Sequence, residues 1–217
     1  MRWRAAKGRC AAKPGAMAET PATKSAALAL ADERALMRQG YQFLDEKRML
    51  LAAEMLRTLA EHEALRAQLA LALRTAQTAL RQALQRHGLE GLQVYPPTAL
   101  APAAAQPARS LFLGVPLLAV AWAPQASGEP DGAIDASPEA RACRATFVAT
   151  LAPLARLAAC SGNLERLAVE YRRTERRARA LENVLLPEIE GALATIEGQL
   201  ELADQEEAVR VRLAKSS

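Results

Sequence analysis

"LERLAVEYRRTERRARALENVLLPEIEGALATI" (164–196) decides the fold. Steps of three and four residues from Leu164 pass through Leu167, Tyr171, Thr174, Ala178, Leu181 and Leu185, a seam of the kind that seals two helices together. All five arginines packed into positions 172–179 fall off that seam. After Leu185 the rhythm fails, and it resumes through Ile189, Leu193, Ile196, Leu200 and Ala203 once a further step of four is inserted. Such a phase slip is a stutter. Pro187 lies within it, and a proline inside a helix removes a hydrogen bond and bends the rod. A kink at Pro187 is therefore expected.

A second seam runs near the other end of the chain. From Met37 the same stepping reaches Tyr41, Leu44, Arg48, Leu51, Met55, Thr58, His62, Leu65, Leu69, Ala72 and Ala76, and eight of these eleven successors are apolar. Thr20 with Pro21 is a start signal for this helix, and His87 followed by Gly88 is a stop. A helix over 20–87 is about 100 Å long. Two long terminal helices bury their seams most simply against each other. The expected fold is all-α, a long antiparallel two-helix coiled coil.

Between the helices the character changes. Eight prolines stand between Pro96 and Pro138, with the turn-like "SGEPDGA" at 127–133. "SLFLGVPLLAV" (110–120) reads as one or two short strands, with Gly114 and Pro116 confining it to an edge or a bulge. Residues 88–137 are thus expected to form a small irregular head with a short helix and a β-hairpin. The sequence Ser137-Pro138-Glu139 caps the second helical region, 138–217, which is expected to break or bend near Ser161-Gly162-Asn163.

Composition limits the alternatives. The 217 residues are 51% apolar but only 4% aromatic, too few large side chains for a thick globular core. The net charge of +4 misleads, because residues 1–16 carry five bases and no acid, leaving the remainder at −1. That basic leader, 1–19, is read as an upstream start with Met17 opening the functional chain, or as an organelle transit peptide, and is set aside from the fold. A general nucleic-acid binder needs a basic face on the folded domain or basic runs interleaved with stacking aromatics, and neither is visible. The longest strongly apolar stretch, "LFLGVPLLAVAW" (111–122), falls short of the roughly 20 residues of a membrane span, so direct membrane insertion is not expected. Cys143 and Cys160 are about 25 Å apart on a straight helix, beyond disulfide reach, which with Cys10 fits a reducing compartment.

Reactive constellations are sparse. His62 and His87 have no cysteine or carboxylate cluster at ligand spacing, and His62 reads as a seam break or a surface residue. Neither GxxxxGK[ST] nor GxGxxG occurs. No catalytic, cofactor-binding or metal-binding residue is assigned.

Two stretches carry a resemblance. "TPATKSAALALADERALMRQGYQFLDEKRMLL" (20–51) and "YRRTERRARALENVLLPEIEGALATIEGQLELADQEE" (171–207) are similar to the termini of the D subunit of the V-type and A-type ATPases, a rotor shaft. The matching positions include Thr23, Lys24, Tyr41, Leu44, Lys47, Arg48, Arg172, Arg173, Thr174, Arg176, Arg177, Ala180, Leu181, Glu182, Val184 and Pro187. "FLGVP" (112–116) resembles the family's middle segment, whereas Arg179 stands where the family has asparagine.

The resemblance implies a central-stalk rotor protein that transmits torque between ATP turnover in a ring of A and B subunits and H⁺ or Na⁺ transport. It would be non-catalytic and without a cofactor of its own. It would bind the F subunit and the component linking the stalk to the membrane rotor, in a complex peripheral to the membrane and facing the cytoplasm. Thr23, Lys24, Arg172, Arg173, Arg176, Arg177 and Glu182 become the partner-binding candidates, with Pro187 as the kink. Composition alone, without these motifs, favours a cytoplasmic coiled-coil scaffold with no catalytic role.

Overall fold

The computed structural model describes residues 22–95, 100, 106–124 and 137–216. The leader, the Thr20–Pro21 start signal, Cys10 and the turn at 127–133 lie outside those residues. In chain order come α1 (Lys24–Gln93), β1 (Gln106–Phe112), β2 (Val115–Ala121), α2 (Pro138–Ala180), a π-helical turn (Leu181–Leu185) and α3 (Leu186–Ser216). The described chain is thus mostly helical, with one small antiparallel sheet.

Helix α1 begins later than Pro21 would set it. Thr23 is the cap: its Oγ1 accepts the Ala26 N–H at 3.2 Å and its carbonyl accepts the Ala27 N–H at 3.0 Å. Thr23 suits a cap, since its side-chain oxygen reaches the third helical amide. The expected stop at Gly88 is a kink instead. Gly88 takes φ 70° and ψ 173°, after which helix resumes as far as Gln93. Along α1 every residue of the first seam, Met37 through Ala76, is buried or half-buried. Thr58 tolerates burial there by donating Oγ1 to the Glu54 carbonyl at 2.8 Å.

Helix α2 starts where expected. Ser137 Oγ accepts the Ala140 N–H at 3.1 Å, Pro138 occupies the first turn, and Glu139 sits at the positive end of the helix. Of the break or bend expected near Ser161-Gly162-Asn163, a break does not occur, and α2 is continuous through it. Ser161 returns its hydroxyl to the Leu157 carbonyl, and Asn163 turns its amide toward the sheet. The alanine-rich run Pro138–Lys215 contains an 18-residue window of mean hydropathy 1.3, which meets the length and composition of a membrane span. The expectation that no stretch would do so overlooked alanine, which raises hydropathy without forming a strongly apolar run.

The second seam is buried at Leu167, Thr174 and Ala178 and again at Ile189, Leu193 and Ile196. Leu185, expected on it, is 39% exposed, and Ala203 is exposed along with every residue from 201 to 215. Leu185 leaves the seam because the helix changes pitch. Its turn hydrogen-bonds i→i+5, with the Leu186 N–H given to the Leu181 carbonyl, and so absorbs the one surplus residue of the phase slip. Pro187 follows in the first turn of α3.

Contacts group the chain into two bodies, Gln42–Ala178 and the terminal segments Met1–Tyr41 with Arg179–Ser217. In the first, Lys47 meets Glu170 at 2.7 Å, the Thr58 carbonyl meets Cys160 Sγ at 3.4 Å, and Arg86 meets Glu139 at 3.0 Å. Partners descend α2 as α1 ascends, so the two helices there run antiparallel. In the second body Arg38 pairs with Glu190 at 2.7 Å.

The strands form a hairpin in the first body, closed by Leu113 and Gly114, both at positive φ (49° and 86°) as a two-residue turn of the primed type requires. Register pairs Phe112 with Val115, so alternate residues, among them Pro107, Pro116 and Leu118, aim their backbone groups outward. Both prolines therefore occupy positions where no ladder N–H is missed. The hairpin lies along the helices, about 55 Å from Gly88 at 1.5 Å per residue. Val115 packs between Leu51 and Leu167, with Met55, Phe112, Leu117 and Tyr171 around them.

Candidate partner-binding surface

Arg172, Arg173, Arg176 and Arg177 occupy one and a half turns of α2, and all four are exposed. At 100° per residue they and Arg179 sweep an arc of about 160° on the side of the helix opposite the seam. Arg172 and Arg176, like Arg173 and Arg177, are like charges at i,i+4, a spacing that costs an isolated helix a few tenths of a kcal/mol per pair. None of the four forms an ion pair among the described residues, whereas Arg38, Arg48, Arg57 and Arg86 all do. The like-charge spacing thus does not favour the helix, while the array presents planar, bidentate donors outward.

The inner edge of this surface is fixed electrostatically. Lys47 donates to Glu170 at 2.7 Å in a half-buried pair. That hydrogen bond, and the nearby charges of Lys47, Arg173 and Arg177, hold the Glu170 carboxyl below its ordinary range. Thr23 and Lys24 stand at the start of α1. Thr23 is used as the cap, and exposed Lys24 is a cation at the positive end of a helix dipole, a placement that does not help the helix. Glu182 lies within the π-helical turn, whose residues 182–185 are all exposed, and Pro187 stands just beyond it. The candidates thus fall into an arginine arc on the first body and two smaller groups on the second.

Sequence reasoning missed three features. Asn163 acts as a substitute strand for β2, accepting the Leu118 N–H at 2.8 Å and donating to the Leu118 carbonyl at 2.8 Å. At the far end of the first body His87 Nε2 and Ser137 Oγ lie 2.6 Å apart, and the His87 ring meets Tyr95 edge-on at 5.6 Å. The Asn163 and His87–Ser137 ties join residues more than 40 positions apart, beyond any local pattern. The third is an apolar groove of about 400 Å³ lined by Ala52, Met55, Leu59, Leu164, Ala168 and Tyr171. Leu56, 69% exposed, stands at its lip.

Among the described residues no group of three or more His, Cys, Asp or Glu side chains could hold a metal ion. His62 is half-buried at its seam position, and Cys143 and Cys160 are free thiols. What the surface can do is bind: cationic on one side, apolar in the groove.

Comparison with known proteins supplies a frame for this arrangement. The family model described as the ATP synthase D subunit matches residues 26–216. The D subunit of the V-type ATP synthase of Anaeromyxobacter dehalogenans (strain 2CP-C) is 32% identical over 202 residues, covering 90% of this chain and 95% of that protein. A V-type ATP synthase D subunit of Treponema pallidum (strain Nichols), the one numbered 2, is 28% identical, covering 89% and 93%. The V-type ATP synthase D subunit of Thermotoga neapolitana is 25% identical, covering 89% and 95%. The chain belongs to the ATP synthase D-subunit family.

Proposed function

We propose that this chain is the central-stalk rotor component of a V/A-type ATP synthase or ATPase, non-catalytic itself. It carries torque between ATP turnover in a ring of A and B subunits and the movement of H⁺ or Na⁺ across the membrane. The terminal helices act as an antiparallel coiled coil. Paired helices resist bending and twisting better than one, and a shaft needs both. The partners are the A, B and F subunits and the component joining the stalk to the membrane rotor, all in a cytoplasmic assembly peripheral to the membrane.

The observation that carries this reading is the set of four exposed arginines without ion pairs, opposite the seam, in a chain of this family. Guanidinium groups attract acidic partner loops at long range and need no interlocking shape, so a surface can slide past them while still being held. Thr23, Lys24 and Glu182 add contacts near the termini, and Pro187 with its preceding turn makes the shaft asymmetric.

Coexpression with A, B and F subunits tests the reading. The chain should enter the complex and restore ATP-driven ion pumping. The fourfold alanine variant at Arg172, Arg173, Arg176 and Arg177 should keep the chain's own stability within about 0.5 kcal/mol, as exposed sites do, yet lose coupled pumping. Unchanged assembly and pumping in that variant would refute the role given to the arc, and failure of the chain to enter the complex would favour the scaffold alternative.

A further inference from the structure

Two irregularities meet at one level of the second body. On one side is the π-helical turn, followed by Pro187, which has no N–H to give to Asn183 in an α pattern or to Glu182 in a π pattern. That stretch therefore lacks a hydrogen bond that a regular helix would make. On the other side is Gly40, the only glycine of α1 before Gly88 and the weakest helix former available short of proline. The two are neighbours: a Cβ placed on Gly40 would lie 3.8 Å from Cδ1 of Leu181, the first residue of the π-helical turn. Each helix is weakened where the other is.

The space at Gly40 excludes the simplest explanation for a glycine there. A separation of 3.8 Å is ordinary van der Waals contact, so alanine would fit and helix packing does not demand glycine. The surplus residue is equally dispensable to the seam. Without one residue of the π-helical turn, the three-and-four rhythm through Leu181 would run in step into Ile189, Leu193 and Ile196.

We propose that Gly40 and the Leu181–Leu185 turn form a joint, a level at which the paired helices yield by local opening while the seams above and below stay closed. Its use in torque transmission rests on the rotor reading above. Its existence does not, because it is a property of the isolated chain.

Amide hydrogen exchange on the full chain tests it, with Gly40→Ala and a deletion of Val184. In the wild type, amides 38–44 and 182–186 should exchange at least tenfold faster than those of 51–58 and 164–174. Deleting Val184 should slow 182–186 at least tenfold by restoring a regular helix. Gly40→Ala should slow 38–44 about fivefold, the factor expected from its gain in helix propensity, and this variant decides the matter if the deletion does not fold. Uniform exchange in the wild type, or no slowing in Gly40→Ala, would overturn the joint and leave the rotor reading intact. Failure to join the A and B ring would sink the rotor reading and leave the joint in place.

Discussion

Asn163 offers the sharpest test of how the hairpin is held. Its Oδ1 accepts the Leu118 N–H and its Nδ2 donates to the Leu118 carbonyl, each at 2.8 Å. Register aims both Leu118 groups away from β1, so no strand competes for them. Asn163→Ala removes both bonds, at a net cost of about 1 kcal/mol each. The resulting loss of about 2 kcal/mol corresponds to roughly 30-fold faster exchange at the Leu118 amide. Asn163→Asp should fall between wild type and alanine. It can still accept from Leu118 and from Arg166 Nη2, now 2.7 Å from Oδ1, but it sets a carboxylate oxygen against the Leu118 carbonyl. Urea unfolding of the whole chain should change less than this local exchange, since the hairpin can open while α1 and α2 stay paired. Exchange at Leu118 within threefold of wild type in the alanine variant, or an aspartate variant matching wild type, would refute the substitute-strand account.

Other perturbations reach the helices, the turn and the acid limb. Leu51→Ala, at a fully buried position against Leu167 and Val115, should lower urea stability by about 2–5 kcal/mol. Leu113 holds a left-handed conformation that costs a branched side chain about 1 kcal/mol, and it is 39% exposed, so Leu113→Asn should slow hairpin opening, read by exchange across 106–121. Glu170 is depressed chiefly by its hydrogen bond from Lys47, so its contribution is whole above the ordinary value of 4.5 and is lost as pH falls through the lower folded value. Acid unfolding below about pH 4.5 should accordingly be shallower in Lys47→Met, followed by circular dichroism.

The seams were legible because burial in a helix repeats at a period that counting reveals. Met37 through Ala76 needed no more than that, and even the polar positions Thr58 and His62 stayed on the inner face. Of the caps, Ser137-Pro138-Glu139 was legible from its residue types, whereas the Thr23 cap of α1 stands three residues beyond the start signal at Thr20. The triplet at 161–163 suggests a break because serine, glycine and asparagine are turn residues by local preference, whereas α2 runs unbroken through it and Asn163 makes a tertiary bond to the hairpin. The arginine arc was placed on the outer face from spacing alone, and the structure adds that Arg172, Arg173, Arg176 and Arg177 lack ion pairs among the described residues.

The phase slip separates what counting can reach from what it cannot. One surplus residue between Leu185 and Ile189 follows from the seam positions, and Pro187 stands close enough to take the blame. Yet a proline does not create a surplus residue. It removes a donor and bends a helix, but the number of residues per turn on either side stays the same. A wider turn does take up an extra residue, and the i→i+5 bond from Leu186 to Leu181 is such a turn. It ends just before the proline, so that the missing N–H of Pro187 falls where the hydrogen-bond pattern already changes from i→i+5 to i→i+4. The proline is therefore better regarded as tolerated by the irregularity than as its cause. Pro187→Ala should accordingly leave the π-helical turn and the Leu185 exposure in place, and a regular α-helix through 181–185 in that variant would reverse the order of cause.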